Sequence, residues 1–208
     1  MKTKHYGQVT ASEQEVLDGI ELRLIESNEQ KRFDHLIEEH HYLHTADWVG
    51  ERLFYVAEYK GQWLALLAWT AAAHRLKGRE AWIGWDEEQR RRRLSLVANN
   101  ARFLILPTGH YPNLASRVMG LCLKRLSLDW QARYAHPIVI VESFVDGQLF
   151  QGTSYKVSGW LQLGETGGYG RHGQDYYVKH DRPKQLWVRE LVKGGRRGLQ
   201  AERLRPAW

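Results

Sequence analysis

The chain has 208 residues, 43% of them hydrophobic, with one cysteine and a formal net charge of +6 at pH 7. That is enough apolar material for one large packed domain, while Cys122 alone excludes an intrachain disulfide. No apolar run is long enough to span a bilayer, so no membrane partner is expected, and the basic balance suits a polyanion.

The start, Met1-Lys2-Thr3-Lys4-His5-Tyr6-Gly7, lacks the apolar segment of a secretory signal, which leads to the expectation of a cytoplasmic protein. The first eighteen residues read as a polar lead-in. Ile20, Leu22 and Leu24 alternate as in a strand. Ser27 and Gln30 stand at capping-box spacing before a helix with Phe33, Leu36, Ile37 and His40 on one face. Arg52 to Trp69 reads as a hairpin turning at Lys60-Gly61, its second arm apolar enough to be central. Residues 70–85 carry no clear pattern. Asp86-Glu87-Glu88-Gln89 opens a helix, with acidic residues where the dipole favours them.

Arg102 to Leu106 is a short buried strand. Pro107 and Pro112 bracket a loop, and Asn113 caps a helix reaching Tyr134, with Leu114, Val118, Leu121 and Cys122 on one face. Cys122 thereby reads as a buried hydrophobe. A strand feeding a helix through a short loop offers backbone N–H groups to an anion. Ile138 to Val141 is a fully buried strand, Gly152 to Gly159 a short helix or turn, and Trp160 to Gly164 and Gln185 to Leu191 two further strands. Residues 165–184 form a polar, glycine-rich loop, and a basic tail follows from 193. The expectation is an α/β (α+β) domain over residues 1–192 with a tail at 193–208: a mixed central sheet of six or seven strands flanked by helices, splayed beside Arg102–Leu106.

This order of elements resembles the GNAT fold of N-acetyltransferases. In that family a loop after the fourth strand, Arg/Gln-x-x-Gly-x-Gly/Ala, cradles the cofactor pyrophosphate. The matching loop here, Pro107 to Ser116, lacks those glycines, and Pro112 removes a donor. Asn113 and Ser116 are the residues that the resemblance would set against a cofactor. Acetyl-CoA is expected to bind weakly or not at all, and the cofactor stays unassigned. A second resemblance rests on His40-His41-Tyr42-Leu43, Trp82-Ile83-Gly84-Trp85, Asn99-Asn100-x-Arg102-Phe103-Leu104-Ile105-Leu106-Pro107, Asn113-Leu114-Ala115-Ser116, Glu142-x-Phe144-Val145-Asp146, Gly152-Thr153-x-Tyr155, and Trp160 followed by Leu163-Gly164-Glu165-Thr166 and Gly168. Over residues 30–192 these strings are similar to the DruA family of the Druantia anti-phage system, whose domain also accompanies transposases. That resemblance implies phage defence or mobile-element biology, with defence-system or transposase proteins as further partners. It supplies no reaction.

Among single residues, Glu142 at the end of its strand is the first candidate for a catalytic base, since ligands in open α/β sheets bind beyond strand C-termini. A carboxylate bonded to backbone or to Arg102 is the alternative. Tyr155 is a candidate general acid by the GNAT resemblance, and a half-buried structural tyrosine otherwise. His41 is a candidate base or phosphate contact, or a hydrogen-bonded structural histidine. No metal site is expected, because adjacent helical His40 and His41 point about 100° apart. Arg91, Arg92, Arg171, Lys179, Arg196 and Arg197 are the candidate nucleic-acid contacts, those at 171–179 interleaved with Tyr169, Tyr176 and Tyr177. A solvated basic face has the same composition. Three functions remain open: a nucleic-acid-binding defence domain, an acyl-type transferase acting on nucleic acid or an amine near Glu142, and a protein-interaction subunit, for which the nine tryptophans speak.

Overall fold

The computed structural model describes residues 10–167, 169–172, 176–179 and 182–204. In chain order the elements are α1 (Ala11–Asp18), β1 (Glu21–Leu24), α2 (Gln30–His40), β2 (Arg52–Tyr59), β3 (Gln62–Ala71), α3 (Lys77–Ile83), α4 (Glu87–Arg93) and β4 (Val97–Ile105). They continue with α5 (Leu114–Tyr134), β5 (Ile140–Val145), α6 (Thr153–Val157), β6 (Leu161–Glu165), β7 (Tyr169–His172), β8 (Tyr176–Lys179), β9 (Gln185–Glu190) and α7 (Gly195–Gln200). Seven strands form one sheet in the order β1-β2-β3-β4-β5-β9-β6, and β7 and β8 make a separate ribbon.

The sheet is antiparallel except at β4 and β5, which are parallel and joined by α5. A parallel pair needs such a crossover. β3 is buried from Trp63 to Thr70 because β2 and β4 flank it and helices cover both faces, which explains its unbroken apolar run. On one face α5 lays down Leu114, Val118, Met119, Cys122, Leu126 and Trp130. Trp69 Nε1 donates to Cys122 Sγ at 3.2 Å, so the lone cysteine is a core side chain. On the other face, α2 packs Phe33 and Ile37 over Phe54, Val56 and Leu66. Beside it α3, α4 and α7 form a second helical layer whose Ile83 and Leu199 cover Val97, Val139 and Ile140.

The expected mixed sheet, the splay and the α5 packing all stand. Four local expectations do not. The polar lead-in contains α1, held by a capping box between Thr10 and Glu13 and anchored by Leu17 alone among its buried residues, too little to register as a periodic pattern. The capping box before α2 lies one residue earlier, between Glu26 and Glu29, and opens a single 3-10 turn. The segment 165–184, expected as a polar, glycine-rich loop, carries the β7–β8 ribbon at residues 169–172 and 176–179. The basic tail is folded onto the body as far as it is described: Gly195, Gly198 and Leu199 are buried, and a Cβ at Gly195 would stand 2.5 Å from Val139 Cγ1.

Candidate functional site

The sheet opens where β4 and β5 part. Their pairing runs from Val97↔Ile140 to Asn100↔Ser143 and stops, although both strands continue. The cause lies in β4. Ala68 pairs with Arg102 but Trp69 with Asn100, so Ala101 is an extra residue, a bulge that bends the strand. The Asn100 side chain occupies the disrupted ladder, its Nδ2 donating to Ala68 O at 3.4 Å and Arg102 O at 3.3 Å.

At this fork Tyr155 of α6 donates its phenol to Asn100 Oδ1 at 2.7 Å and accepts from Ser143 Oγ at 3.1 Å. Trp160 meets the Tyr155 ring edge-on at 5.0 Å and Trp187 stacks at 6.2 Å. Burial raises the phenol pKa above its usual value, so Tyr155 keeps its proton at neutral pH. The sequence marked Tyr155; it did not mark Asn100 or Ser143. The pair of asparagines inside an apolar strand was the available signal, because a buried amide requires partners.

On the other side of the fork the chain leaving α2 brings in His41 and Tyr42, with Arg102 from β4, Asp146 past β5 and Lys184 before β9. His41 is buried, and its Nδ1 accepts from Leu43 N at 3.2 Å. Burial first, then the Arg102 and Lys184 charges, push its pKa down to about 3. His41 is therefore neutral at pH 7 and a poor base. His40 and His44 do not join it: His40 pairs with Glu39, and His44 Nδ1 lies 2.8 Å from Glu38 O. Among the described residues no group of three or more metal-ligating side chains occurs.

Glu142 is not at a strand end. β9 pairs with β5 through Val145↔Gln185, which carries the strand past Glu142 and places it mid-sheet. It is fully buried; its Oε2 accepts from Arg79 Nη1 at 2.9 Å and its Oε1 from Ala73 N at 2.9 Å. Burial raises its pKa, and Arg79 pulls it back. The carboxylate is closed off by α3, and its partner is Arg79 rather than Arg102. This corrects the expected placement at a strand end, while the backbone bond that the alternative reading expected is present, from Ala73 N.

Asn113 and Ser116 stand at the start of α5, Asn113 in the left-handed region at φ 65°. Ser116 Oγ donates to Asn113 O at 2.9 Å. Leu114 N already bonds Tyr111 O, which uses one of the donors that a helix start can offer, while Arg117 N makes the first regular bond of the helix, to Asn113 O. Gly109 provides no cradle either, since a Cβ there would stand 2.6 Å from Leu64 O: the glycine lets the loop lie on β3. The loop therefore does not fit a pyrophosphate in the GNAT manner. Asn113 and Ser116 instead border a groove of about 870 Å³ between α1, α5 and the end of α6, with Arg117, Lys124 and Arg189 along it.

The four arginines of α4 divide by helical position. Arg90 is buried and donates to His74 O at 2.8 Å. Arg93 is buried and donates to Leu199 O and Ala201 O, both at 2.7 Å, and to Glu202 O at 3.2 Å. Arg91 and Arg92 are exposed, Arg92 paired with Glu88. On α7, Arg197 is exposed, whereas half-buried Arg196 lies 5.4 Å over the Trp82 ring. The side chains of Arg171 and Lys179, on β7 and β8, lie outside the described residues.

Solved structures share this architecture. The yncA protein of Salmonella typhimurium with acetyl-CoA superposes with a TM-score of 0.54 at 9% identity, over 91% of this chain and 99% of that one. Spermidine N-acetyltransferase from Vibrio cholerae with CoA and spermine gives 0.52 at 9%, over 84% and 96%. An acetyltransferase of the GNAT family from Streptococcus pneumoniae gives 0.50 at 12%, over 82% and 99%. At such identities the likeness shows the fold, which is GNAT-like. No curated protein sequence matches. The sequence family described as Druantia protein DruA matches residues 1–184, and the chain belongs to that family.

Proposed function

We propose that this chain is a defence-related GNAT-like domain that binds nucleic acid through the surface of its α3–α4–α7 layer. The observation that carries this reading is the clamp at Arg93. Its bonds to the carbonyls of Leu199 in α7 and of Ala201 and Glu202 just after it, together with Gln89 Nε2 donating to Gln200 O and Ala201 O, lock two arginine-bearing helices together. With residues 89, 90 and 93 turned inward, Arg91 and Arg92 face solvent next to the helix that carries Arg197. Membership of the Druantia family supports a role in anti-phage defence, and the net charge of +6 supports a polyanionic partner. The Arg92–Glu88 pair is a surface contact of small worth, which a phosphate can displace. Gel-shift titration of the full chain against single- and double-stranded probes at 50 and 200 mM salt is the test. Binding that weakens about tenfold or more between the two conditions supports the reading. No salt-sensitive binding to any probe overturns it and favours a protein-interaction subunit.

The fork favours a second reading, an acyl-type transferase acting on nucleic acid or an amine. A protonated, hydrogen-bonded Tyr155 stands where two parallel strands part, as a general acid for a leaving group would. The loop at Pro107–Ser116 does not fit a pyrophosphate, so the donor is left unassigned. Calorimetry with acetyl-CoA tests the cofactor: micromolar binding lost in Asn113→Ala would promote this reading.

A further inference from the structure

Arg102 emerges from β4 directly after the bulge. Its Nε donates to Thr45 O at 3.2 Å and its Nη1 to Ala101 O at 2.8 Å, and Trp48 lies 5.7 Å beneath the guanidinium. These contacts fix the plane but neutralise no charge. Lys184 Nζ lies 5.7 Å from the ring centroid of Tyr42, and its charge and that of Arg102 both act on His41. Both side chains are half-buried, and neither forms an ion pair with a described carboxylate. The neighbouring acid, Asp146, is buried and holds its own turn, accepting from Gln148 N at 3.0 Å. The two cations repel each other: burial and Arg102 lower the Lys184 pKa, and both lower that of His41.

Asp47 attracts Arg102 and Asp146 attracts Lys184, yet among the described residues neither carboxylate comes within ion-pair distance, and half-buried cations compensated this loosely cost stability. Two such cations acting on the same neighbour point to an anion from outside. The surroundings narrow its chemistry. Tyr42 is half-buried between His41, at 4.6 Å between ring centroids, and Phe150, at 5.4 Å and edge-on. Phe150 leaves 48% of its surface open beside the charges. A fixed guanidinium fork and a lysine suit a phosphate, and an exposed aromatic next to them suits a base.

We propose that Arg102 and Lys184 hold the phosphate of a nucleotide, with its base stacked against Phe150 beside Tyr42. The site is separate from the α4–α7 surface and requires neither polymer binding there nor transfer chemistry at Tyr155. It would take a free nucleotide or the terminal residue of a strand.

Calorimetry on the full chain tests it with AMP, inorganic phosphate and adenosine. AMP should bind about tenfold more tightly than phosphate, the gain expected of one base–aromatic stack. Adenosine should be the weakest. Lys184→Met and Arg102→Met should each lose at least tenfold in AMP affinity. Phe150→Ala should keep phosphate and lose the advantage of AMP over it. The melting temperature separates a ligand cation from a structural one. Lys184→Met should melt no lower than the parent, because it removes repulsion, and it keeps the test open should Arg102→Met fail to fold. Absence of AMP and phosphate binding at millimolar concentration overturns the proposal. So does parental AMP affinity in Lys184→Met. Loss of AMP binding in Arg91→Glu/Arg92→Glu, with the fold intact, would also overturn it by moving the anion to α4.

Discussion

Arg79 and Glu142 meet at 2.9 Å in the interior, and neither side chain has any solvent exposure. Arg79 also donates to Ala73 O, so α3 is fastened to the middle of the sheet through charge. Such a pair repays its desolvation only while both partners are present. Glu142→Leu alone should therefore cost about 3–5 kcal/mol in urea unfolding, as should Arg79→Met alone. The double variant should recover most of that loss. Equal loss in the double variant would show that the pair does more than balance two charges.

The Tyr155–Asn100–Ser143 cluster has a smaller stake. Tyr155→Phe removes the donor to Asn100 Oδ1 and the acceptor for Ser143 Oγ. With the ring still packed against Trp160, the expected loss is about 1–2 kcal/mol in chemical denaturation. If the fork carries out acyl transfer, the same variant should lose about 100-fold or more in rate while remaining folded. A fully active Tyr155→Phe would remove the general-acid role.

His41 sets an acid sensitivity whose sign can be worked out. Its pKa falls from 6.5 to about 3 in the folded chain. Between those values the unfolded chain holds a proton that the folded chain does not. Stability contributed by neutral His41 is thus complete above about pH 6.5 and falls as the pH drops toward 3, by up to about 1.4 kcal/mol per unit. His41→Asn keeps an acceptor for Leu43 N and cannot titrate. Urea titrations at pH 7.5, 5.5 and 4.5 should show the variant gaining on the parent as the pH falls. A constant difference across the series would mean that His41 takes up its proton in the fold at the same pH as in the unfolded chain.

The sequence carries the sheet because the apolar runs at Trp63–Trp69 and Ile138–Val141 admit few alternatives, and α5 because its stripe runs for five turns. It carries Tyr155 and the outward pair Arg91 and Arg92. It does not carry the surroundings of Glu142, because Arg79 comes from residues 70–85, which have no periodicity, and the length of β5 depends on its pairing with β9, through Val145↔Gln185 far along the chain. Arg102, Lys184 and His41 are far apart in sequence, and only the bulge at Ala101 aims the arginine toward the other two. Segments with weak local patterns are fixed by tertiary partners, and most of the candidate site belongs to such segments.

Arg93 supplies the sharpest test of the nucleic-acid surface, because it is buried and cannot touch a phosphate itself. Arg93→Gln should release the carbonyls of Leu199, Ala201 and Glu202 and loosen α7 from α4. Amides of residues 195–200 should then exchange with solvent faster, while those of β3 and α5 remain protected. If α4 and α7 present one contact surface, nucleic-acid affinity should fall several-fold, because α7 must be reordered on binding and its charge is no longer held in place. Arg91→Glu/Arg92→Glu should weaken binding further and flatten its salt dependence, since two phosphate contacts are lost and fewer counterions are released. Hydrogen exchange and gel shifts on the same preparations separate the outcomes. Faster exchange in α7 with parental affinity would confine the surface to α4. Parental affinity in Arg91→Glu/Arg92→Glu as well would remove the helical layer from binding altogether.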